Sequence, residues 1–351
     1  MYCQKIHLSN YRNIRKAEIE FSEGVNVLYG DNAQGKTNFL ESIYYFACGK
    51  SFRGAKDKEI ILFGEDRSYI KLLFEDKDRK RDHEVRLSRS ERRLCFKEGI
   101  KISRMSEFIG TFRAVLFSPE HLSIVKDGPA ERRNFEDVAI SQLYPVYMSS
   151  LSKYQKLIME RNSVLKDSES PDFRDMIQVL SVQIAKEAEI IGRYRDAYTK
   201  RLSDHVQAII SDMTCGKENV SIEYTGYRDE EALKRQLTEN LDKEIRAGST
   251  LYGTHKDDLL IKLNGNDSRV FASQGQQRSI SLAMKLAEGE ISKEITGEYP
   301  VFLFDDILSE LDRKRKDYVI SGLNGMQVII TCCEEIPNGR IFTVKNGMIE
   351  N

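Results

Sequence analysis

The chain has 351 residues, 40% of them hydrophobic and 31% charged, and its 54 Lys and Arg nearly balance its 55 Asp and Glu. This length suits one large domain or two closely joined domains with a substantial core, and the composition excludes a disordered chain. No stretch approaches the ~20 apolar residues that a membrane span needs, and a strand-like pattern begins almost at the first residue, so we expect a cytoplasmic protein with no membrane association.

The first 118 residues have a β-rich pattern that is interrupted by one helix. Strand-like alternation lies at 2–8, 17–21, 25–29, 69–75, 83–88 and 93–97, and the helical pattern covers 36–47. This part holds 23 Lys and Arg against 17 Asp and Glu, which leaves 31 against 38 for the rest of the chain. Positive charge is therefore concentrated in the first third of the sequence.

After Pro119 the pattern becomes helical. Apolar residues recur at three- and four-residue steps through 142–165 and again through 173–213, with the break Ser-Glu-Ser-Pro at 168–171 between them. The spacing predicts a long antiparallel helical hairpin whose second helix reaches about 60 Å at ~1.5 Å per residue. Core helices of a globular lobe are an equal alternative. A strand at 220–225, a charged helix at 229–246 and a strand at 259–263 follow.

The last part returns to an α/β pattern. The continuous apolar runs 301–304 and 328–330 are typical of strands that are buried on both faces of a parallel sheet. The Asn346-Gly347 pair predicts the turn of a final hairpin. We therefore expect one domain, formed by 1–118 and 298–351, that is interrupted by a mostly helical insertion at 119–297.

Six cysteines are spread along the chain without a C-x-x-C spacing or a His/Cys cluster. They are Cys3, Cys48, Cys95, Cys215, Cys332 and Cys333. This distribution favours reduced thiols in the core over metal binding.

The strongest motif is a phosphate-binding loop, G-x-x-x-x-G-K-T, between a predicted strand and a predicted helix. Its residues are Gly30, Asp31, Asn32, Ala33, Gln34, Gly35, Lys36 and Thr37. In such a loop the backbone amides point at the β- and γ-phosphates, the lysine adds a positive charge, and the hydroxyl can bind Mg²⁺. A chance match in a chain of this length is on the order of one in a hundred. A glycine-rich turn without a ligand is the weaker alternative.

A second acidic motif follows the buried strand at 301–304. Asp305 comes where the strand ends, which suits a carboxylate that holds magnesium, and Asp306 could position or activate a water molecule. Without the phosphate loop, an Asp pair that caps a turn would explain the pattern equally well. With the loop present, we interpret Lys36, Asp305 and Asp306 as catalytic and Thr37 and Asp305 as magnesium ligands.

The third motif is Ser-Gln-Gly-Gln-Gln-Arg at 273–278, before a helical pattern. Ser273 and Gln276 fit an S-x-x-Q capping box, so a well-capped helix is the simpler interpretation. A helix N-terminus with glycine and small polar groups is also an anion site. Two such helix N-termini in one chain suggest that each completes a site on another copy.

Taken together, these motifs and the Ser-Glu-Leu-Asp at 309–312 resemble the ATP-binding-cassette heads of SMC-type DNA repair ATPases. In detail the chain is similar to the RecF family of bacterial recombination mediators. The resemblance extends over nearly the whole chain through the segments 8–13 (LSNYRN), 117–120 (FSPE), 128–133 (GPAERR) and 254–259 (THKDDL).

The resemblance implies an α/β P-loop ATPase head with two lobes. Lobe I, formed by 1–118 and 298–351, would hold a mixed β-sheet around the Walker A helix. Lobe II, 119–297, would be largely helical, with the long antiparallel hairpin and the signature motif. ATP and Mg²⁺ would bind at the phosphate loop, with contacts from Arg12 and Asn13 of the same copy and from Ser273, Gly275 and Gln276 of a second copy.

The resemblance also implies a biological role. Members of the family dimerise on ATP, hydrolyse it slowly with stimulation by DNA, bind double-stranded DNA and junctions at gaps, and help to load RecA together with RecO and RecR. The DNA contacts would come from basic residues of the first part, and our selection is Arg53, Lys56, Arg79, Lys80, Arg81, Arg89 and Arg92. A hairpin with a solvated charged turn is the alternative for 77–93, where eight basic and four acidic residues lie.

Three features differ from the pattern of other ATP-binding-cassette ATPases and limit what the resemblance implies. Asp306 stands where many cassette ATPases have Glu, so slow turnover is expected. Thr331 stands where transporter ATPases have a switch histidine, and Glu120 is the nearest candidate for their magnesium-sensing Gln.

A transporter ATPase subunit is the leading alternative, but the chain lacks LSGGQ and the histidine. A small-molecule kinase or GTPase would leave 273–278 unexplained. His255 in a turn is expected to be a structural hydrogen-bonding residue.

Overall fold

A computed structural model describes residues 1–169, 171–226, 229–322, 325–333 and 339–350. The chain forms two compact units, one of Met1–Ser123 with Ser281–Asn351 and one of Ile124–Ile280. The lobe limits at 118/119 and 297/298 stay predictions. Ser170, within the predicted break at 168–171, lies outside the described residues.

The helices and strands of the described residues fall into three segments of the chain. The first segment contains β1 (Tyr2–Tyr11), β2 (Ile14–Glu20), β3 (Val25–Tyr29), α1 (Lys36–Cys48), α2 (Asp57–Ile60), β4 (Arg67–Glu75), β5 (Lys80–Ser88), β6 (Leu94–Lys97), β7 (Ile100–Ile102) and β8 (Ala114–Phe117). The middle segment contains α3 (Pro129–Leu143), α4 (Pro145–Lys166), α5 (Phe173–Thr214), β9 (Val220–Thr225), α6 (Glu230–Glu239), α7 (Leu241–Ala247), β10 (Asp258–Leu263), β11 (Asn266–Asp267), α8 (Ser268–Phe271) and α9 (Gln274–Thr296). The last segment contains β12 (Val301–Asp305), α10 (Arg313–Gly322), β13 (Val328–Cys332), β14 (Arg340–Lys345) and β15 (Met348–Glu350).

The first unit contains two six-stranded sheets with α1 between them. One sheet is antiparallel in the order β2-β1-β4-β5-β6-β7, and the other has the order β15-β14-β3-β13-β12-β8. In the second sheet all pairs are parallel except β14 with β15. Helix α1 contacts strands of both sheets, and every residue from Phe39 to Ala47 is buried. Strands β12 and β13 are buried along their whole length, as their continuous apolar sequences predict.

The second unit contains the predicted helical hairpin. Helices α4 and α5 pack against each other, and the 42 residues of α5 span about 63 Å. Strands β9, β10 and β11 form a three-stranded antiparallel sheet that packs on α5. None of the described helices is both long and apolar enough to cross a bilayer.

Several sequence expectations differ from the structure at element boundaries. The helix expected from 142 begins at Pro145, because a proline has no N–H to donate and suits the first turn of a helix. The charged helix expected at 229–246 is divided at Asn240, which ends α6 and begins α7. Strand β8 and helices α3 and α10 were not predicted.

All six cysteines are free, but Cys215 and Cys333 are exposed, so the expectation that all six lie in the core was wrong for these two.

Candidate nucleotide-binding site

The loop between β3 and α1 has the curled backbone that the phosphate-binding motif requires. Gly35 is the N-cap of α1 and has a left-handed conformation with φ of 105°. A Cβ atom at this position would lie 2.8 Å from Oδ1 of Asn13, so both the backbone angle and the space require glycine. Ala33 also has a positive φ, of 64°. The loop therefore closes tightly before the first turn of the helix.

Lys36 lies inside this loop and is only 6% exposed. Its Nζ donates hydrogen bonds to the carbonyl oxygens of Gly30 and Asp31, the latter at 3.0 Å, and lies 3.2 Å from Sγ of Cys333. Among the described residues no carboxylate forms an ion pair with it. The loop thus holds a positive charge that only neutral groups solvate, which is the electrostatic condition for binding an anion.

The acidic motif meets the phosphate loop through direct hydrogen bonds. Thr37 Oγ1 donates to Oδ1 of Asp305 at 2.8 Å, although the two residues are 268 positions apart in the sequence. Thr331 Oγ1 donates to the same Oδ1 at 2.8 Å and accepts the backbone N–H of Asp306 at 2.9 Å. Burial raises the pKa of the Asp305 carboxyl, while the hydrogen bonds from Thr37 and Thr331 act in the opposite direction.

These donors fit a magnesium ion in chemical type. The Thr37 hydroxyl and the Asp305 carboxylate are hard oxygen ligands that already lie within hydrogen-bond distance of each other. Asp305 is 7% exposed, and both hydrogen bonds that its carboxylate accepts from the described residues go to Oδ1, which leaves Oδ2 available to a ligand. The pair is therefore suited to hold Mg²⁺ with nucleotide oxygens and water completing its shell.

A cavity of about 510 Å³ opens beside these groups. It is lined by Asn32, Ala33, Gln34, Gly35, Lys36, Thr37, Asn38, Phe52, Arg53, Ser118, Pro119, Glu120, Asp305, Asp306 and Thr331. Both predicted catalytic aspartates and six of the eight loop residues therefore face one space. Glu120, the candidate for the magnesium-sensing position, also lines it.

Arg53 lies at this cavity, although we selected it from the sequence as a DNA contact. Its guanidinium donates to Oδ1 of Asn38 at 3.2 Å, and Asn38 donates in turn to Oδ1 of Asn13 at 2.8 Å. This chain of contacts places Asn13 beside the loop, where a nucleotide contact was expected. Phe52, which comes directly before Arg53 and was not selected from the sequence, also lines the cavity.

Arg12 has a different environment from Asn13. Its guanidinium forms a two-pronged ion pair with the buried Glu41 of α1, with distances of 2.8 and 2.6 Å, and contacts the carbonyl oxygen of Glu59 at 3.3 Å. Arg12 does not line the cavity described above. Its expected contact with the nucleotide remains a prediction. To make that contact, the Arg12 guanidinium would either keep its ion pair with Glu41 or give it up for the nucleotide.

The signature residues lie in the second unit at the start of α9. Ser273 Oγ accepts the backbone N–H of Gln276 at 3.3 Å, and the Gln276 side chain accepts the backbone N–H of Ser273 at 2.8 Å. This is the capping box that the sequence predicts. The Gln276 side chain also donates to Oε1 of Glu218 at 2.8 Å, while Gly275 is the first-turn residue whose carbonyl accepts from Ser279 Oγ at 3.1 Å.

The other basic residues selected for DNA fall into two groups. Three of them have intramolecular partners: Arg79 pairs with Glu98, Arg81 pairs with Asp76 and Glu98, and Arg89 donates to backbone carbonyls of Ile61, Leu62 and Glu65. The side chains of Lys56, Lys80 and Arg92 are exposed and have no partner in the part of the chain that the structure describes. Only the second group is free to meet phosphates without breaking an existing contact.

His255 is a structural residue of the second unit. Its Nδ1 lies 2.7 Å from the hydroxyl of Tyr154, and its Nε2 lies 3.0 Å from the carbonyl oxygen of Thr250. Both ring nitrogens are therefore occupied by neighbouring groups of the same unit. This agrees with the expectation from the sequence.

The fold and the site together define a class of protein. A phosphate loop between a buried parallel strand and its helix, an aspartate pair at the end of a second buried strand, and a capped signature helix form an ATPase head of the ATP-binding-cassette type.

Comparisons with known proteins identify the family within this class. Residues 2–337 match the sequence model described as the RecF/RecN/SMC N terminal domain. The DNA replication and repair protein RecF of Clostridium kluyveri is 40% identical over 361 residues, with 99% of each chain covered. That of Clostridium beijerinckii is 39% identical over 365 residues, covering 100% of this chain and 99% of the relative. The chain belongs to the RecF family of DNA replication and repair proteins.

Solved structures give the same result. The recombination mediator RecF-ATPrS of the RecFOR pathway matches with a TM-score of 0.93 and 34% identity, and RecF-ATP of the same pathway with 0.92 and 35%, each covering 99% of this chain and 97% of the other. An SMC head domain from Pyrococcus furiosus, 16% identical with a TM-score of 0.57 over 99% of this chain and 95% of that one, shares the fold. The predicted fold class and family are confirmed, and the transporter alternative is set aside.

Proposed function

We propose that this chain binds and slowly hydrolyses ATP with Mg²⁺, closes as a dimer around the nucleotide, and in that state holds double-stranded DNA during recombinational repair. The observation that carries the proposal is the Lys36 ammonium, which pairs with no carboxylate among the described residues, next to the Thr37–Asp305 pair in one cavity. Family membership supports it, because the solved relatives include RecF-ATP.

In the proposed complex the loop amides and Lys36 hold the β- and γ-phosphates. The Lys36 ammonium would exchange its present carbonyl acceptors for phosphate oxygens, which are stronger acceptors because they are charged. Mg²⁺, when bound, neutralises charge that develops on the transferred phosphoryl group. Thr37 and Asp305 would hold it, while Thr331 keeps the Asp305 carboxylate oriented.

Asp306 is the proposed residue that positions the attacking water. It lines the cavity, and its backbone is fixed by the hydrogen bond to Thr331 and by a left-handed φ of 50°. An Asp side chain is one methylene shorter than the Glu of many cassette ATPases, so it reaches the water less closely. Slow turnover follows from this geometry.

The second copy would contribute the N-terminus of α9. Ser273 and Gly275 begin a helix whose first amides can face an anion, and we propose that they contact the γ-phosphate bound by the other copy. ATP would then act as the link between two chains. DNA stimulation of turnover, binding at gaps, and loading of RecA with RecO and RecR belong to this proposal through the family.

The nucleotide site is tested by replacing its lysine. Lys36→Met should abolish ATP binding in equilibrium dialysis and ATP-dependent retention on duplex DNA, with little change in thermal stability. Lys50→Met, which removes an exposed lysine just after α1, is the matched control and should behave as the wild type. If Lys36→Met retains ATP binding, the phosphate loop is not the nucleotide site.

The shared site is tested separately. Gel filtration with ATP should show a wild-type dimer that Ser273→Arg abolishes, because the large side chain would occupy the space in front of the helix N-terminus. Ser168→Arg, at the exposed end of the helical hairpin, is the control for the added charge and should leave the dimer intact. Equal elution of both variants in the dimer position would contradict the contribution of the second copy.

A further inference from the structure

An apolar groove lies between the last turns of α4 and the first turns of α5, and it shares no lining residue with the candidate nucleotide-binding cavity. We call it the hairpin groove, and it is lined by Glu160, Ser163 and Val164 of α4 and by Asp175, Met176, Val179 and Leu180 of α5. Its volume is about 570 Å³, and it is open along one side. The apolar side chains of α5 follow at three- and four-residue steps, so they share one face of the helix.

This face is unusually apolar for an exposed surface. Val179 is 55% exposed and Met176 is 45% exposed, and Met159 and Val182, at 64% and 43%, flank them on α4 and α5. These four account for a third of the twelve large hydrophobic side chains that are exposed in the part of the chain the structure describes. Scattered exposed apolar residues are ordinary, but a cluster along two adjacent helices marks an interaction surface.

The end of the hairpin is held against α7. Leu165, Phe173 and Ile177 form a core cluster, against which Val164 of the groove and Leu241 and Ile245 of α7 pack. Beside this cluster the buried Arg161 of α4 pairs with Glu244 of α7 at 2.6 Å. The hairpin is thus fixed by α7, and Val164 connects the lining of the hairpin groove to this core.

The charges at the groove select its occupant. Glu160 of α4 and Asp175 of α5 both line it and are exposed, and neither has an ion-pair partner among the described residues. None of the described residues that line the groove is basic. An occupant therefore gains from an apolar stripe that fills the centre and from positive charges at both edges.

We propose that the hairpin groove binds an amphipathic helix of another protein, with an apolar stripe flanked by Lys or Arg. Such a helix would lie between α4 and α5 and complete a three-helix packing unit on the open side. Its apolar residues at i, i+3, i+4 and i+7 would meet Met176, Val179 and Leu180, and its basic residues would pair with Glu160 and Asp175. This site is independent of the proposed nucleotide site.

The probe is a fluorescein-labelled synthetic helix made only of Leu and Lys, with Leu at helical spacing, measured by fluorescence anisotropy against the full chain. Val179→Glu should weaken its binding by about tenfold or more, because it removes buried apolar contact from the centre of the groove. Val146→Glu makes the same change at an exposed valine near the start of α4 and is the matched control. It should leave the affinity unchanged.

A second pair of variants tests whether the acidic residues of the groove contribute to binding. Glu160→Gln combined with Asp175→Asn should weaken binding several-fold and reduce its dependence on salt, since two ionic contacts are lost. Glu239→Gln combined with Asp242→Asn removes two exposed acids from α6 and α7 instead and should have no effect. A matching helix of Leu and Glu should bind more weakly than the Leu and Lys helix.

Two results would overturn the proposal. Equal affinities of the Val179→Glu and Val146→Glu variants for the probe would show that the groove is not the binding site. Sedimentation that shows self-association of the wild type without ATP, lost in Val179→Glu, would assign the groove to a second copy of this chain. Retained ATP binding in every variant is expected in either case and confirms that the chain is folded.

Discussion

Thr331 offers the sharpest test of how the site is held together. Thr331 is 1% exposed, and its hydroxyl donates to the Asp305 carboxylate and accepts from the backbone N–H of Asp306, so one small group holds the Asp305 carboxylate and the backbone of Asp306. Thr331→Val has nearly the same shape but removes both hydrogen bonds. Thr331→Ser keeps both and removes only a methyl group.

The expected magnitude follows from those two contacts. A hydrogen bond to a charged carboxylate contributes roughly 1.5–3 kcal/mol, and one to a neutral N–H contributes about 1 kcal/mol. Thr331→Val should therefore lower the free energy of unfolding by about 2.5–4 kcal/mol, while Thr331→Ser should lower it by about 1 kcal/mol through the lost methyl group. Because Asp305 then keeps only the hydrogen bond from Thr37, and the backbone N–H of Asp306 loses its contact with Thr331, ATP turnover should also fall by about tenfold to a hundredfold in the Val variant.

The assay is denaturant unfolding together with steady-state ATP turnover for the wild type and both variants. The Ser variant should keep nearly wild-type turnover. Equal stability and turnover of the Val and Ser variants would refute the reasoning, because it would mean that the hydroxyl does not orient Asp305 and Asp306. A loss of stability without a loss of turnover would show that the contact is structural only.

Three further predictions address other parts of the chain. Arg161→Met should destabilise the fold by about 3–5 kcal/mol because it leaves Glu244 buried and unpaired, and adding Glu244→Gln should restore much of the loss in denaturant unfolding; equal stability of the single and double variants would contradict this. Burial raises the pKa of Glu136 to about 8, above its ordinary value of 4.5, so its contribution to stability is full below about pH 4.5 and is lost as the pH rises through about 8. Glu136→Gln should flatten the decline of the melting temperature over that pH range. If this variant shows the same pH dependence of the melting temperature as the wild type, the raised pKa does not belong to Glu136. For duplex DNA, Lys56, Lys80 and Arg92, which have no partner among the described residues, should give a slope of log affinity against log salt of about −3 per copy, against about −6 if all seven selected residues bind phosphate.

The motifs could be found in the sequence because their chemistry is local. The phosphate loop needs glycine at two fixed positions, and the structure places Gly35 where both its φ of 105° and the nearby Asn13 exclude a side chain. The capping box of Ser273 and Gln276 is likewise set by a four-residue spacing. Buried strands β12 and β13 were evident from continuous apolar runs. Each of these features depends on a few consecutive residues.

The remaining features depend on pairs that are distant in sequence. The Thr37–Asp305 hydrogen bond joins residues 268 positions apart, and Thr331 enters the site only because β13 lies beside β12 in the sheet. Strand β8 was not predicted, although its four residues form a continuous apolar run like those of β12 and β13. The division of the charged helix at Asn240 was missed for a related reason, since a single Asn is compatible with a helix interior.

The basic residues show most clearly why charge composition alone does not locate a DNA surface. A guanidinium that already pairs with a carboxylate, as Arg81 does with Asp76, must lose that contact before it meets a phosphate, so its net contribution to DNA affinity is small. Arg53 shows the opposite effect, because its position near Asn38 brings it to the cavity of the candidate nucleotide-binding site. The seven selected residues are therefore divided among internal contacts, the candidate nucleotide-binding site and a smaller free set. Only the free set can release counterions on binding DNA, which is why the salt dependence, rather than the affinity itself, distinguishes these roles.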